Sequence, residues 1–239
     1  MNLRSYILVL NIKRLMNKTA IVFGATGLVG SELIYQLIKD IRYRTVKVFT
    51  RRDLHIEHIK VVEKIVNVEK VTEYSDEIKG DDLFICIGTT RKKAGSVERM
   101  EDIDRKLPGR IAKAALVNEV KNIAVVSSIG ANPKSGNYYY RIKGKMEEDI
   151  LSMNFALKRI LRPSILLGKR DEVRILESLG KVMVKGLGFL LKGKRRKYRG
   201  VMARDVASIM VREINNINGK EIYESDEIMA ISKAEKEIK

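Results

Sequence analysis

Residues 19–34, Thr19-Ala20-Ile21-Val22-Phe23-Gly24-Ala25-Thr26-Gly27-Leu28-Val29-Gly30-Ser31-Glu32-Leu33-Ile34, run from an apolar strand through a glycine-rich turn into the start of an amphipathic helix. The three glycines fall in a glycine-x-x-glycine-x-x-glycine arrangement. A turn with so few side chains lets backbone N–H groups and the positive end of the helix dipole approach a pyrophosphate. A glycine triplet alone carries little information, but between a buried strand and a helix it predicts a nucleotide-binding turn. Gly24, Thr26, Gly27, Leu28, Val29 and Gly30 are its candidate binding residues.

Beyond this turn, short apolar runs alternate with segments of helical period. TAIVFG (19–24), TVKVFT (45–50), EKIVNV (63–68), LFICIG (83–88), NIAVVSS (122–128) and LKRILRPSIL (157–166) read as strands. SELIYQLIKDI (31–41), DRKLPGRIAKAALVN (104–118) and YYRIKGKMEEDILSM (139–153) space their apolar residues three and four apart, as helices lying on a sheet do. The strands are continuously apolar, the pattern of burial on both faces of a parallel sheet. The alternation predicts an α/β fold with a doubly wound parallel sheet. After Ser164 a basic, glycine-punctuated stretch (170–204) leads to a short helix (205–215) and a strand-like KEIYES, which together predict a small C-terminal lobe packed on the sheet.

The strand ends carry the chemistry. The second ends in Thr50-Arg51-Arg52, where an NAD site commonly has an acid for the ribose 2′-hydroxyl. Two guanidiniums and a hydroxyl suit a 2′-phosphate, so NADP(H) is expected over NAD(H), with Asp53 available to pair with one arginine. Asn67 and Val68, after the third strand, are candidates for the adenine side. Gly88, Thr89 and Thr90, after the fourth, are candidates where the dinucleotide crosses the sheet edge. Ser127 and Ser128 close the fifth, and either hydroxyl suits a substrate oxygen. Of Tyr138, Tyr139 and Tyr140, only Tyr139 has a lysine four residues on, Lys143, one turn away on the same helical face. An ammonium there is expected to lower the phenol's pKa and equip it for proton transfer at a carbonyl or alcohol oxygen.

Taken in order, these residues resemble the short-chain dehydrogenase/reductase superfamily, and most closely its atypical branch of Tat-interacting-protein-like oxidoreductases. The resemblance covers roughly residues 17–230. It rests on Cys86-Ile87-Gly88-Thr89-Thr90-Arg91-Lys92-Lys93-Ala94-Gly95, on Val126-Ser127-Ser128-Ile129-Gly130-Ala131, on Tyr139 with Lys143, and on Leu161-Arg162-Pro163 followed by Leu167-Gly168. It implies a Rossmann-like fold and hydride transfer between a nicotinamide and a carbonyl or alcohol substrate. Its catalytic trio would be Ser128 (or Ser127), Tyr139 and Lys143, with Lys143 also on the cofactor and Pro163 beside the nicotinamide amide. The superfamily's frequent asparagine at the head of the fourth helix is replaced by Asp104, and its aspartate after strand three by Asn67. The branch also includes dinucleotide-binding regulators, so a non-catalytic NADP(H) sensor or scaffold is the alternative.

The 239 residues suffice for one domain at 17–239, preceded by an extension at 1–16. One cysteine, Cys86, and two histidines, His55 and His58, leave no disulfide or zinc framework, and no metal is expected. No apolar run reaches membrane-spanning length and residues 1–16 lack a cleavage signal, so a cytoplasmic protein is expected. The net charge of +17 is uneven, with +9 and no acid in residues 181–204. There, apolar residues from Met183 to Leu191 precede a basic cluster from Lys192 to Arg199. A cover over the substrate pocket is the preferred reading, and peripheral contact with an anionic membrane through 182–199 the second. Nucleic acid is not expected, because Tyr198 is the cluster's only aromatic.

Overall fold

The computed structural model describes residues 17–168 and 198–238. Seven strands form one parallel sheet: β1 (Lys18–Phe23), β2 (Tyr43–Thr50), β3 (Val61–Ile65), β4 (Asp82–Ile85), β5 (Asn122–Val126), β6 (Leu157–Arg162) and β9 (Ile222–Glu224). Their order is β3-β2-β1-β4-β5-β6-β9, so the chain reverses its winding between β1 and β4. Ligands of open α/β sheets bind at the carboxyl ends of the strands flanking such a reversal. Two short strands, β7 (Leu166–Leu167) and β8 (Val201–Met202), pair separately.

Alternation along each strand feeds two cores, as the two-residue period of a strand requires. From β1, Ala20 and Val22 join α1 (Leu28–Lys39) through Leu33, Ile34 and Leu37, and α6 (Ala203–Glu213) through Val206, Ile209 and Met210. Ile21 and Phe23 point the other way, towards α4 (Leu107–Val117) and α5 (Tyr138–Leu151). On that side Phe23 stacks on Phe49 with ring centroids 4.7 Å apart. The doubly wound sheet is as expected, and the C-terminal part packs onto it, with β9 pairing beside β6.

Several boundaries differ from the sequence reading. The first helix starts at Leu28 rather than Ser31, because the glycine turn runs straight into it. β3 ends at Ile65, which leaves Asn67 and Val68 in the following loop. β6 stops at Arg162 because Pro163 cannot donate to the ladder. A short α2 (Arg91–Ala94) is followed by α3 (Val97–Glu101), which passes through a π-helical turn, Asp102–Lys106, into α4. The chain ends in α7 (Ser225–Ile238), whose Ile228 reaches the core where only a strand was expected. The extension at 1–16 and most of the basic segment, 169–197, lie outside the described residues, and with them the pocket-cover and membrane readings.

Candidate functional site

Gly24 adopts φ +84°, and Gly27 donates its N–H to the Gly24 carbonyl at 2.9 Å, closing the turn. A Cβ on Gly24 would lie 2.5 Å from the Cys86 carbonyl carbon, and one on Gly30 only 2.2 Å from the Gly24 oxygen. A side chain at either position would force the turn away from the strand or helix it packs on. The first turn of α1 has no side-chain cap and no acidic residue, so its N–H groups are suited to an anion. A dinucleotide phosphate therefore fits the residues present.

The turn separates two connected spaces. The outer cleft, about 1070 Å³, has Gly24, Thr26 and Gly27 on one side and Arg51, Arg52 and Val68 on the other. The inner pocket is bounded by Leu28, Val29, Thr90, Ser128, Tyr139 and Pro163, and Gly88 and Thr89 border both spaces. Asn67 is the candidate that stays outside: it is exposed, and its side chain accepts the Glu69 N–H at 3.2 Å. Gly30 acts through the turn rather than as a wall. Asp53 pairs with neither arginine; it accepts the N–H of His55 at 2.7 Å. Of the basic loop, Arg91 folds back onto the Gly95 carbonyl and Lys93 stands on the outer cleft wall.

Asn137 caps α5 by accepting the Tyr139 N–H at 2.9 Å, so the helix begins just before the phenol. Tyr139, Lys143 and Glu147 then follow one another by single turns along one face. A Cβ on Gly144 would sit 2.2 Å from the Pro133 nitrogen, so only glycine lets the loop after β5 rest on this helix beside Lys143. Opposite lies Asp104, on the π-helical turn, the kind of bulge that recurs at functional sites. Its Oδ1 accepts the Thr89 N–H at 2.8 Å, and its Oδ2 is 3.6 Å from Lys143 Nζ, with both side chains buried.

Burial, with this carboxylate added to it, reverses one expectation. Burial pushes the Tyr139 phenol up, Lys143 pulls it down and Asp104 pushes it up again, leaving it above the ordinary phenol value. Burial disfavours the Lys143 ammonium, but Asp104 and Tyr139 more than offset this and hold its pKa above the usual lysine value. Lys143 therefore spends its charge on Asp104 as well as on the phenol. Sequence reading noted Asp104 only as a departure from a pattern, and its position at the head of a helix was the available signal.

The two serines separate. The Ser127 hydroxyl donates to Glu147, which Arg162 also grips, its Nε 2.9 Å from Oε1. Arg162 extends a second arm to Glu224 of β9 at 2.8 Å. The Ser128 hydroxyl lies within hydrogen-bonding reach of Tyr139 and 3.3 Å from the Ile129 carbonyl. Glu147 was missed by sequence reading, though it continues the Tyr139–Lys143 face. Cys86 is a half-buried thiol that borders both spaces and packs against the core 3.9 Å from the Met210 sulfur, pushed up to about 12 by desolvation. Among the described residues no three His, Cys, Asp or Glu side chains converge as metal ligands.

Residues 24–216 match the family described as NAD(P)H-binding. Protein FMP52, mitochondrial, of Candida glabrata is 37% identical over 158 residues, a match spanning 65% of this chain and 66% of that protein. Protein HTATIP2 of Rattus norvegicus is 31% identical over 165 residues, 67% of this chain and 68% of that one. Among solved structures, a putative NAD-dependent epimerase/dehydratase from Bacillus halodurans superposes with a TM-score of 0.64 at 17% identity, covering 86% of this chain and 92% of that one. That likeness shows a shared Rossmann-like fold. The fungal relatives are named as mitochondrial, which overturns the cytoplasmic expectation. The absence of a long apolar helix among the described residues says nothing about compartment. The glycine cradle, the strand order and the matched residues lead to one family: the chain belongs to the NAD(P)H-binding Rossmann-fold proteins, in the atypical short-chain dehydrogenase/reductase group with Tat-interacting-protein-like relatives.

Proposed function

We propose that the chain is an NADP(H)-dependent oxidoreductase that moves a hydride between the nicotinamide and a carbonyl or alcohol carbon. The observation that carries this reading is the meeting of Tyr139, Lys143 and Ser128 in the inner pocket, continuous with a cleft that begins at the glycine cradle. The nicotinamide, when bound, supplies the hydride. Ser128 holds the substrate oxygen, and Tyr139 gives it a proton as the carbonyl is reduced. Lys143 holds the ribose hydroxyls, Asp104 keeps Lys143 charged, and Pro163 borders the nicotinamide amide. Reduction needs the phenol protonated on arrival, which burial and Asp104 favour.

Preference for NADP(H) is supported by Arg51 and Arg52 on the outer cleft. No carboxylate among the described residues pairs with either guanidinium, so both remain available to a 2′-phosphate. Titration with NADPH and NADH tests this. The expected result is tighter NADPH binding, lost in the Arg51→Ala/Arg52→Ala variant, and equal affinity of the wild-type protein for the two would overturn the assignment. Turnover is tested by following NADPH absorbance across a carbonyl panel, with Tyr139→Phe as control.

The second reading, a sensor that binds NADP(H) without turnover, draws on the same raised phenol. Cofactor binding with no turnover in a broad panel would favour it. A mitochondrial setting is part of the proposal, supported by the fungal relatives' names and tested by fractionation against organelle markers.

A further inference from the structure

The loop after β2 is held far more firmly than its exposed position requires. The Thr50 hydroxyl donates to the Arg52 carbonyl at 2.9 Å. Asp53 caps His55, which takes the left-handed φ of +54°. Leu54 and Ile56 tuck their side chains against the core below α1. Their two N–H groups both donate to Glu63 of β3, Leu54 to Oε2 at 2.9 Å and Ile56 to Oε1 at 3.3 Å. One carboxylate thus uses both oxygens to fix alternate residues of the loop that displays Arg51 and Arg52. A negative charge this near a proposed phosphate site is electrostatically unhelpful, so its contribution lies in shape.

We propose that Glu63 is a positioning residue for coenzyme choice: it clamps the 51–56 loop so that Arg51 and Arg52 are presented to a 2′-phosphate before that phosphate arrives. This rests on the NADP(H) reading and extends it to a residue on the neighbouring strand. A guanidinium pair on a pre-ordered loop binds without first restricting the backbone, and preorganisation of this kind appears as affinity for the group recognised. Glutamine at position 63 keeps one carbonyl oxygen for two N–H donors, and alanine keeps none, so the effect should be graded.

The test is calorimetric titration of the full chain with adenosine 2′,5′-bisphosphate and, separately, with 5′-AMP, which lacks the 2′-phosphate. In Glu63→Ala the bisphosphate should weaken about tenfold while 5′-AMP stays within about twofold, with Glu63→Gln between this and wild type. A merely structural role would weaken both ligands together, and that result, or an unchanged ratio, overturns the proposal. If wild type itself fails to distinguish the two nucleotides, the NADP(H) reading falls and this inference with it. Discrimination in wild type that survives in both Glu63 variants overturns the inference alone. Should Glu63→Ala fail to fold by circular dichroism, the glutamine variant decides.

Discussion

Replacing Asp104 by asparagine keeps the size of the side chain and its acceptor for the Thr89 N–H, and deletes one charge. That charge lies 3.6 Å from the Lys143 ammonium. At an effective dielectric constant of about 20, the lost attraction is about 5 kcal/mol. Part is returned because asparagine is cheaper to bury than a carboxylate, so the net cost should be about 3 kcal/mol, the usual scale for orphaning a buried ion. The sign with pH follows from Lys143, whose folded pKa is raised. The pair's contribution is complete below the ordinary lysine value of about 10.4 and is lost as pH climbs through the raised one. Urea unfolding of Asp104→Asn should therefore show a deficit that is flat across neutral pH and shrinks only at strongly alkaline pH. Lys143→Met alone should also destabilise, and the double variant should recover much of the loss, with a coupling of at least about 1.5 kcal/mol. A deficit under about 0.5 kcal/mol, or additive single variants, would refute a charge-paired Asp104.

Gly144→Ala drives a methyl into the Pro133 backbone, and the forced separation of α5 from its loop should cost about 2–3 kcal/mol and weaken NADPH binding, seen by thermal melting and titration. Because the Tyr139 phenol is raised, carbonyl reduction should persist into alkaline pH and fall only as the phenol ionises, while alcohol oxidation should gain with pH; Tyr139→Phe should abolish both, and a reduction rate that falls through neutrality would contradict the assignment. Asp82→Ala removes the buried carboxylate that holds Lys18, Tyr43 and Asn122 at the sheet's amino-terminal edge. That should cost about 3 kcal/mol in chemical denaturation and leave NADPH affinity unchanged, since the network lies away from the cofactor edge.

What was legible in the sequence was what local spacing encodes. The glycine turn, the Tyr139–Lys143 face and the serines at the end of β5 all follow from residue order and element type, and the chain places them together. Asp104 was harder because its role depends on a π-helical turn, where the 3.6-residue period breaks and the side chain swings out of register. The separation of Ser127 from Ser128 required Glu147 and Arg162, partners 20 and 35 residues away that no local pattern links. Asn67 misled because a strand was read three residues past its true end. Location was never encoded in the composition, since a +17 chain with one cysteine is compatible with more than one compartment.

The Arg162 fork has a consequence for how the molecule is assembled during synthesis. Ser128, Tyr139 and Lys143 emerge from the ribosome some eighty residues before Glu224, the second carboxylate that steadies Arg162, and before α6 fills its half of the core under α1. A nascent chain ending near residue 168 has the glycine cradle and every strand but β8 and β9, yet on one face of β1 it has α1 without α6 beside it. A chain truncated before β9 therefore keeps every residue proposed to touch the coenzyme while losing one of the two carboxylates that steady Arg162.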